Sequence, residues 1–113
     1  MIYEQRDIVL IPIPFTDLSS KKKRPVIIIS NDDYNQHNLD IVAVALTSNL
    51  KFKNQYCIEI DDYNLEAGSL PQKSQIRCDK IYTLSKTIIV KRFHKINKDT
   101  YELIRHKLSE LVT

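Results

Sequence analysis

Two strand-like segments near the N-terminus are apolar at successive positions rather than at alternate ones. Residues 8–13 read Ile-Val-Leu-Ile-Pro-Ile, and residues 26–29 read Val-Ile-Ile-Ile. Because successive side chains of a strand point to opposite faces, both faces of each segment require burial. A small sheet with one helix has difficulty covering both faces, so we expect the sheet to curl into a barrel. A symmetric partner subunit would cover part of the outer face, which predicts a homodimer.

The remaining chain predicts more short strands and a single C-terminal helix, a mainly β fold of the α+β type. Gly68, the sole glycine, is expected to take a positive φ in a turn before the fifth strand. After the N-cap residue Asn97, apolar residues recur at helical spacing, and His106 falls on the opposite, wet face. The apolar stripe comprises Tyr101, Ile104, Leu108 and Leu111, widened by Leu103 and Val112. The predicted strands are residues 8–15, 26–29, 40–46, 56–60, 72–77 and 87–93.

Composition indicates one globular domain spanning residues 1–113, because its apolar and charged fractions are ordinary. No stretch has the length of a membrane helix, and the first residues lack the layout of a signal peptide, which predicts a cytoplasmic protein without membrane association. Cys57 and Cys78 are too few for a disulfide framework and are expected to be free thiols. One glycine excludes a glycine-rich phosphate loop, and three scattered histidines predict no metal site, so no cofactor is expected.

Four consecutive cations, Lys21 to Arg24, stop at Pro25 and the buried strand that follows it. An arginine at the mouth of a rigid strand, beside a basic loop, is suited to hold a phosphate in one place. The alternative is a solvated lysine loop that keeps the protein soluble. The net charge of +3 does not decide between them, but an uneven charge distribution favours an anionic ligand on one face. A looser basic group comprises Lys51, Lys53, Lys73, Arg77 and Lys80.

Polar side chains also follow or interrupt the buried strands. Thr47 and Ser48 end the third strand, where their hydroxyls are either functional or part of a simple turn. In the fifth strand, the period of two places Gln75, Arg77 and Asp79 on one face. Arg77 and Asp79 either form a surface ion pair or bracket a substrate.

Taken in order, four of these segments make the chain similar to the PemK/MazF family of toxins. They are Pro-Ile-Pro-Phe-Thr-Asp-Leu at residues 12–18, Arg-Pro at 24–25 with Ser-Asn-Asp at 30–32, Ala-Leu-Thr-Ser at 45–48, and Gln-Ile-Arg-Cys-Asp-Lys-Ile at 75–81. The resemblance implies an SH3-like barrel of antiparallel strands with a C-terminal helix, and a homodimer neutralised by a cognate antitoxin protein. It also implies a metal-independent endoribonuclease that cleaves single-stranded mRNA at selected sequences to 2′,3′-cyclic phosphate and 5′-hydroxyl ends. Arg6 stands where the family usually has glycine.

By the same resemblance, Arg24 would contact the phosphate and Thr47 would hydrogen-bond it or the attacking oxygen, while Arg77 and Asp79 match an arginine and an acid–base carboxylate. Asp79 would need a raised pKa for that role. Bases would stack on Phe15, Phe52 or Tyr56, unless these rings belong to the core. The predicted substrate-binding residues are Thr16, Lys22, Lys23, Ser48, Lys51, Phe52 and Gln75. Two alternatives are a CcdB-like toxin that binds a protein such as gyrase without cleaving anything, and a catalytically silent nucleic-acid-binding barrel.

Overall fold

A computed structural model describes residues 1–12 and 22–113 of the chain. Within them, six antiparallel strands form one curled sheet, a half-barrel, in the order β4-β5-β3-β2-β1-β6, and a helix closes the chain. The strands are β1 Asp7–Pro12, β2 Lys23–Ile28, β3 Asp40–Thr47, β4 Cys57–Ile60, β5 Ser74–Ser85 and β6 Lys91–Lys95. The helices are α1 Asp32–His37 and α2 Lys98–Leu111, with short 3₁₀ turns at Asp62–Asn64 and Lys86–Ile88. The predicted mainly β architecture with a C-terminal helix is confirmed.

Both faces of β1 and β2 are buried, as their continuous apolar sequences predict. Ile8 and Ile27 belong to one core cluster, over which Ile104 of α2 packs. Val9 and Val26 belong to a second cluster on the opposite face, which is covered by residues from the end of β5 and the turn after it, namely Tyr82, Leu84, Ile88 and Ile89. One chain therefore buries both faces of β1 and β2. The apolar pattern of these two strands does not by itself require a homodimer.

The strand β5, Ser74–Ser85, is longer than the predicted strand 72–77, and a bulge divides it into two halves. Ala45 pairs with Arg77, whereas the adjacent Val44 pairs with Ile81, so residues 78–80 have no counterparts on β3. Such a bulge bends a strand and re-aims its side chains. The first half of β5 pairs with both β3 and β4, and the second half extends along β3 to its beginning. Cys78 lies in the bulge as a free, buried thiol, and burial raises its pKa to about 12.

Helix α2 begins as predicted at the N-cap Asn97, whose side chain accepts a hydrogen bond from the Thr100 backbone N–H at 2.9 Å. Ile104 is fully buried, whereas Leu103 and Val112 are exposed, so the apolar stripe is narrower than predicted. His106 lies on the exposed face, as predicted. None of the helices in residues 1–12 and 22–113 has the length and apolar character needed to span a membrane.

Among the described residues, two take a positive φ: Gly68 at 88°, as predicted, and Arg6 at 80°. Arg6 occupies the position at which the resembling family usually has glycine. Its backbone N–H donates to the Ile28 carbonyl at 2.8 Å, and its guanidinium donates to the Ile96 carbonyl at 2.9 Å and to Glu66 at 3.0 Å. These bonds offset the cost of about 1–2 kcal/mol that a left-handed residue carries. The turn into β1 thus keeps a glycine-like conformation without glycine.

Replacing Gly68 with alanine is expected to lower the free energy of unfolding by about 2 kcal/mol or more, because the positive φ and a collision both oppose a Cβ. A Cβ built at Gly68 lies 2.4 Å from Cε1 of the His94 ring. Urea denaturation measures the loss, and Ser69→Ala in the same turn is the control. Unfolding curves that coincide for Gly68→Ala and the parent protein would show that the ring moves aside without cost.

Candidate active site

Arg24 and Thr47 lie side by side where β2 begins and β3 ends. Val26 pairs with Ala45, and continuing this antiparallel register by two residues places Arg24 opposite Thr47. Thr47 in turn pairs with Gln75 of β5. Since directly opposed residues of a sheet share a face, these side chains form a row across three strands. The two residues to which the resemblance gives the central roles are thus adjacent, although they are distant in sequence.

Arg77 lies next to this row and is held in place by two neighbours. Its Nε donates to Asp79 Oδ1 and its Nη2 to Asp79 Oδ2, both at 2.8 Å. The guanidinium carbon also lies 3.7 Å from the centre of the Phe52 ring. A bidentate carboxylate and a stacked ring fix both the plane and the direction of the guanidinium. Together with Arg24, Thr47, Asn49, Lys80 and Tyr82, the residues Phe52 and Arg77 line a cavity of about 340 Å³.

Asp79 is held in its ionised form. The hydrogen bond from Arg77 is the main cause, and a further bond from Asn54 Nδ2 at 3.0 Å adds to it, so that the pKa of Asp79 falls from 3.8 to about 2 although burial opposes the shift. The same hydrogen bond raises the pKa of Arg77. A general acid or base at neutral pH requires a raised carboxyl pKa. The shift has the opposite sign, which argues against the acid–base interpretation of Asp79, and the two hydrogen bonds that it accepts orient Arg77 instead.

The substitution Asp79→Asn is expected to slow RNA cleavage by roughly tenfold to a hundredfold, because it misplaces Arg77, the second arginine that the resemblance puts in the active site. The factor should be the same from about pH 5 to pH 9, since a carboxylate with a pKa of about 2 stays ionised throughout this range. Single-turnover rates across that range measure it, with Asp33→Asn on α1 as the control. A carboxylate acting as the base would instead make the factor change with pH.

The stability contribution of Asp79 follows from the same depressed pKa. It is fully present above the ordinary value of 3.8 and is lost as the pH falls toward about 2.

Gln75 supports the site from beneath. Its side chain is fully buried, and its Nε2 donates to the carbonyls of Asn49 at 3.0 Å and Phe52 at 2.6 Å. These bonds tie the segment after β3 to the sheet. Because the side chain is fully buried, Gln75 acts here as a support for that segment, and its contact with the substrate stays a prediction.

The other predicted binding residues are dispersed. Lys23 and Ser48 line a larger cavity that Arg24 and Thr47 also border, whereas the exposed Lys51 lines neither cavity. Lys22 is exposed, and Thr16 and Phe15 lie outside the described residues. Tyr56, a predicted stacking ring, packs partly buried against the core. In the looser basic group, Lys53 and Lys73 both contact Glu59.

The larger cavity has a volume of about 530 Å³ and includes residues that the sequence did not single out. Phe93 and His94 of β6 and Gln72 before β5 contribute to its lining. No local sequence signal points to Phe93 and His94, because β6 comes to this part of the sheet only through its pairing with β1. Within the described ranges, no group of three or more His, Cys, Asp or Glu side chains is arranged to hold a metal ion.

Comparison with known proteins agrees with this architecture. The model of the PemK-like, MazF-like toxins of type II toxin–antitoxin systems matches residues 4–112. Among solved structures, an endoribonuclease from Mycobacterial species in complex with its cognate antitoxin has a TM-score of 0.77 at 20% identity, covering 97% of this chain and 94% of that one. The Mycobacterium tuberculosis toxin MazF-mt6 has a TM-score of 0.76 at 16% identity, covering 95% and 96%. MazF from Deinococcus radiodurans has a TM-score of 0.74 at 19% identity, covering 99% and 97%. At these identities the structures establish a shared fold. No curated protein matches the chain.

Proposed function

The chain belongs to the PemK-like, MazF-like family of toxins of type II toxin–antitoxin systems, and on this premise we propose that it is an endoribonuclease that cleaves single-stranded mRNA. The observation that carries the proposal is the adjacency of Arg24 and Thr47, with Arg77 fixed beside them. Two guanidinium groups and a hydroxyl around one cavity match the charge and hydrogen-bonding needs of a phosphodiester. A toxin that only binds a protein has no need of this combination.

Cleavage would proceed by attack of the RNA 2′-oxygen on the adjacent phosphorus, with departure of the 5′-oxygen. The bond from phosphorus to the 5′-oxygen breaks, the 2′-hydroxyl gives its proton to solvent and the 5′-oxygen takes one from solvent, leaving a 2′,3′-cyclic phosphate and a 5′-hydroxyl group. Negative charge accumulates on the phosphate oxygens in the transition state, and Arg24 and Arg77 stabilise it. The Thr47 hydroxyl hydrogen-bonds the phosphate and aligns it with the attacking oxygen. Asp79 keeps Arg77 in position during this step.

Incubation of the purified protein with a long RNA in EDTA tests the proposal. We expect cuts at a limited set of sequences, each leaving a cyclic phosphate upstream and a 5′-hydroxyl downstream, without added metal. Sequencing of the fragment ends reveals both the cut site and the end chemistry. Intact RNA, at protein concentrations that bind it, would instead support a silent nucleic-acid-binding barrel, and absence of binding would support a protein-directed toxin.

The protein is proposed to act in the cytoplasm as a homodimer that a cognate antitoxin neutralises. Family membership supports these assignments. Light scattering of the purified protein, alone and with the product of the neighbouring gene, measures both assemblies. A monomer that retains full cleavage activity would remove the dimer from the proposal without affecting the ribonuclease.

An acidic antitoxin segment is expected to compete with RNA for the surface around Arg24 and Arg77, because cations that attract a phosphate backbone attract carboxylates as well. The inhibition should weaken as salt rises, since both contacts are screened. Titration of the antitoxin against labelled, uncleavable RNA measures the competition at two salt concentrations. If both ligands bind together with unchanged affinities, the two sites are separate.

A further inference from the structure

The 530 Å³ cavity lies next to the Arg24–Thr47 pair and is distinct from the cavity that contains Arg77. Arg24, Thr47, Pro25 and Leu46 border both cavities, so the two meet at the proposed phosphate site. Leu10, Pro25 and Leu46 from the sheet contribute apolar walls, and Leu70 and Pro71 from the segment before β5 contribute others. A ligand held at Arg24 and Thr47 can therefore extend in two directions, and only one of them reaches Arg77.

His94 gives this cavity a polar group in a fixed place. The ring is half-buried and lies directly against Gly68, where even a Cβ would collide with it. It forms no side-chain hydrogen bond or ion pair with the described residues. Phe93, 41% exposed, and the amide of Gln72 also line the cavity. Apolar walls with a few hydrogen-bonding groups and an aromatic ring are the features that a nucleobase requires.

We propose that this cavity binds the base of the nucleotide adjoining the scissile phosphate, and that His94 reads the edge of that base. The proposal rests on the proposed ribonuclease function and adds a specificity pocket to it. A base is the expected ligand because the cavity borders the proposed phosphate site. An RNA chain whose phosphate lies at Arg24 and Thr47 must place an adjoining base within reach of the cavity. Lys23 and Arg24 are the charged residues that line it, and both favour a phosphorylated ligand. The volume also falls within the range of small-ligand sites.

Nuclear magnetic resonance can observe the pocket directly, because Gly68 is the only glycine of the chain. Labelling with ¹⁵N-glycine gives one amide signal, which reports on the His94 ring beside it. The probes are the four 2′-deoxynucleoside 3′,5′-bisphosphates, which carry the flanking phosphates and cannot be cleaved. We expect one of the four to shift the Gly68 amide and the His94 ring protons at the lowest concentration, with a dissociation constant at least about fivefold below that of the weakest. His37 and His106, which lie exposed on α1 and α2, are internal controls.

Variants connect the pocket to specificity. His94→Ala should reduce the preference among the four bisphosphates to less than about twofold and relax the cut-site preference at one position beside the cleaved bond. Leu70→Trp, which fills the cavity, should weaken binding of the preferred bisphosphate by at least about tenfold, since stacking of a base is lost. His106→Ala on the exposed face of α2 should change neither. Circular dichroism and the Gly68 signal show whether each variant is folded.

The outcomes separate the pocket from the activity. Selective shifts at Gly68 without RNA cleavage would support the pocket and overturn the ribonuclease. RNA cleavage with a cut-site preference that His94→Ala leaves unchanged would overturn the pocket alone, as would equal responses to all four bisphosphates. If no bisphosphate moves the Gly68 signal but the antitoxin does, the cavity is a protein-docking site and the proposal is wrong.

Discussion

Replacing Arg24 with lysine is expected to slow RNA cleavage by about a hundredfold or more while leaving the fold intact, because a charge alone cannot stabilise the transition state as a fixed guanidinium does. Lys22 and Lys23 precede Arg24, so the local field hardly changes. What is lost is the planar fork that donates to two phosphate oxygens at once. Arg24 lies opposite Thr47 at the beginning of β2, so its guanidinium is carried by a rigid strand rather than by a loop.

Single-turnover cleavage of an RNA that contains a mapped site measures the effect, at equal concentrations of folded protein. Lys98→Ala is the matched control, because it removes an exposed charge at the beginning of α2 that lines neither cavity, and it should change the rate by less than about threefold. If Arg24→Lys cleaves at a near-normal rate, the arginine serves only to attract RNA. A parallel loss of affinity and rate would likewise place Arg24 in binding rather than in catalysis.

Local sequence patterns correctly predicted features that depend on a few neighbouring residues, such as the burial of a strand and the beginning of a helix. The continuous apolar runs of β1 and β2 correctly indicated burial on both faces, and Asn97 correctly marked the beginning of α2. Helix α1 was missed because its Asn31 cap and its acidic first turn, Asp32 and Asp33, also fit a polar loop. The side chain of Asn31 accepts a hydrogen bond from the Tyr34 backbone N–H, and an asparagine in a turn makes the same kind of bond.

Features that depend on pairing between distant segments could not be predicted. The bulge in β5 arises from its register with β3, and the residue types at positions 78–80 do not indicate a bulge. The burial of Gln75 depends on the segment that folds over it, although its position on the same strand face as Arg77 was predicted correctly. His94 looked like one of three scattered histidines, because its neighbours Arg24 and Thr47 come from other strands. The site residues come together through the pairing registers of β2, β3 and β5, which depend on contacts between segments that are distant in sequence.

Replacing Thr47 with alanine is expected to reduce cleavage by at least about a hundredfold and RNA affinity by less than about threefold, because phosphate charge dominates the binding energy and one hydroxyl contributes little to it. Thr47 lies between Arg24 and the buried Gln75, at the point where the two cavities meet. From there its hydroxyl can align the phosphate with the attacking 2′-oxygen, a contact that strengthens as the reaction proceeds.

The rate and the affinity must be measured separately to test this role. Single-turnover cleavage gives the first, and binding of a fully 2′-O-methylated RNA, which lacks the nucleophile, gives the second. Thr47→Ser retains the hydroxyl and should recover most of the rate, whereas Thr47→Val retains the shape and should not. An equal fall in affinity and rate for Thr47→Ala would make Thr47 a binding residue. Since interactions made only in the transition state lower the rate without affecting ground-state binding, the ratio of the two losses measures how far this hydroxyl acts on the reacting phosphate.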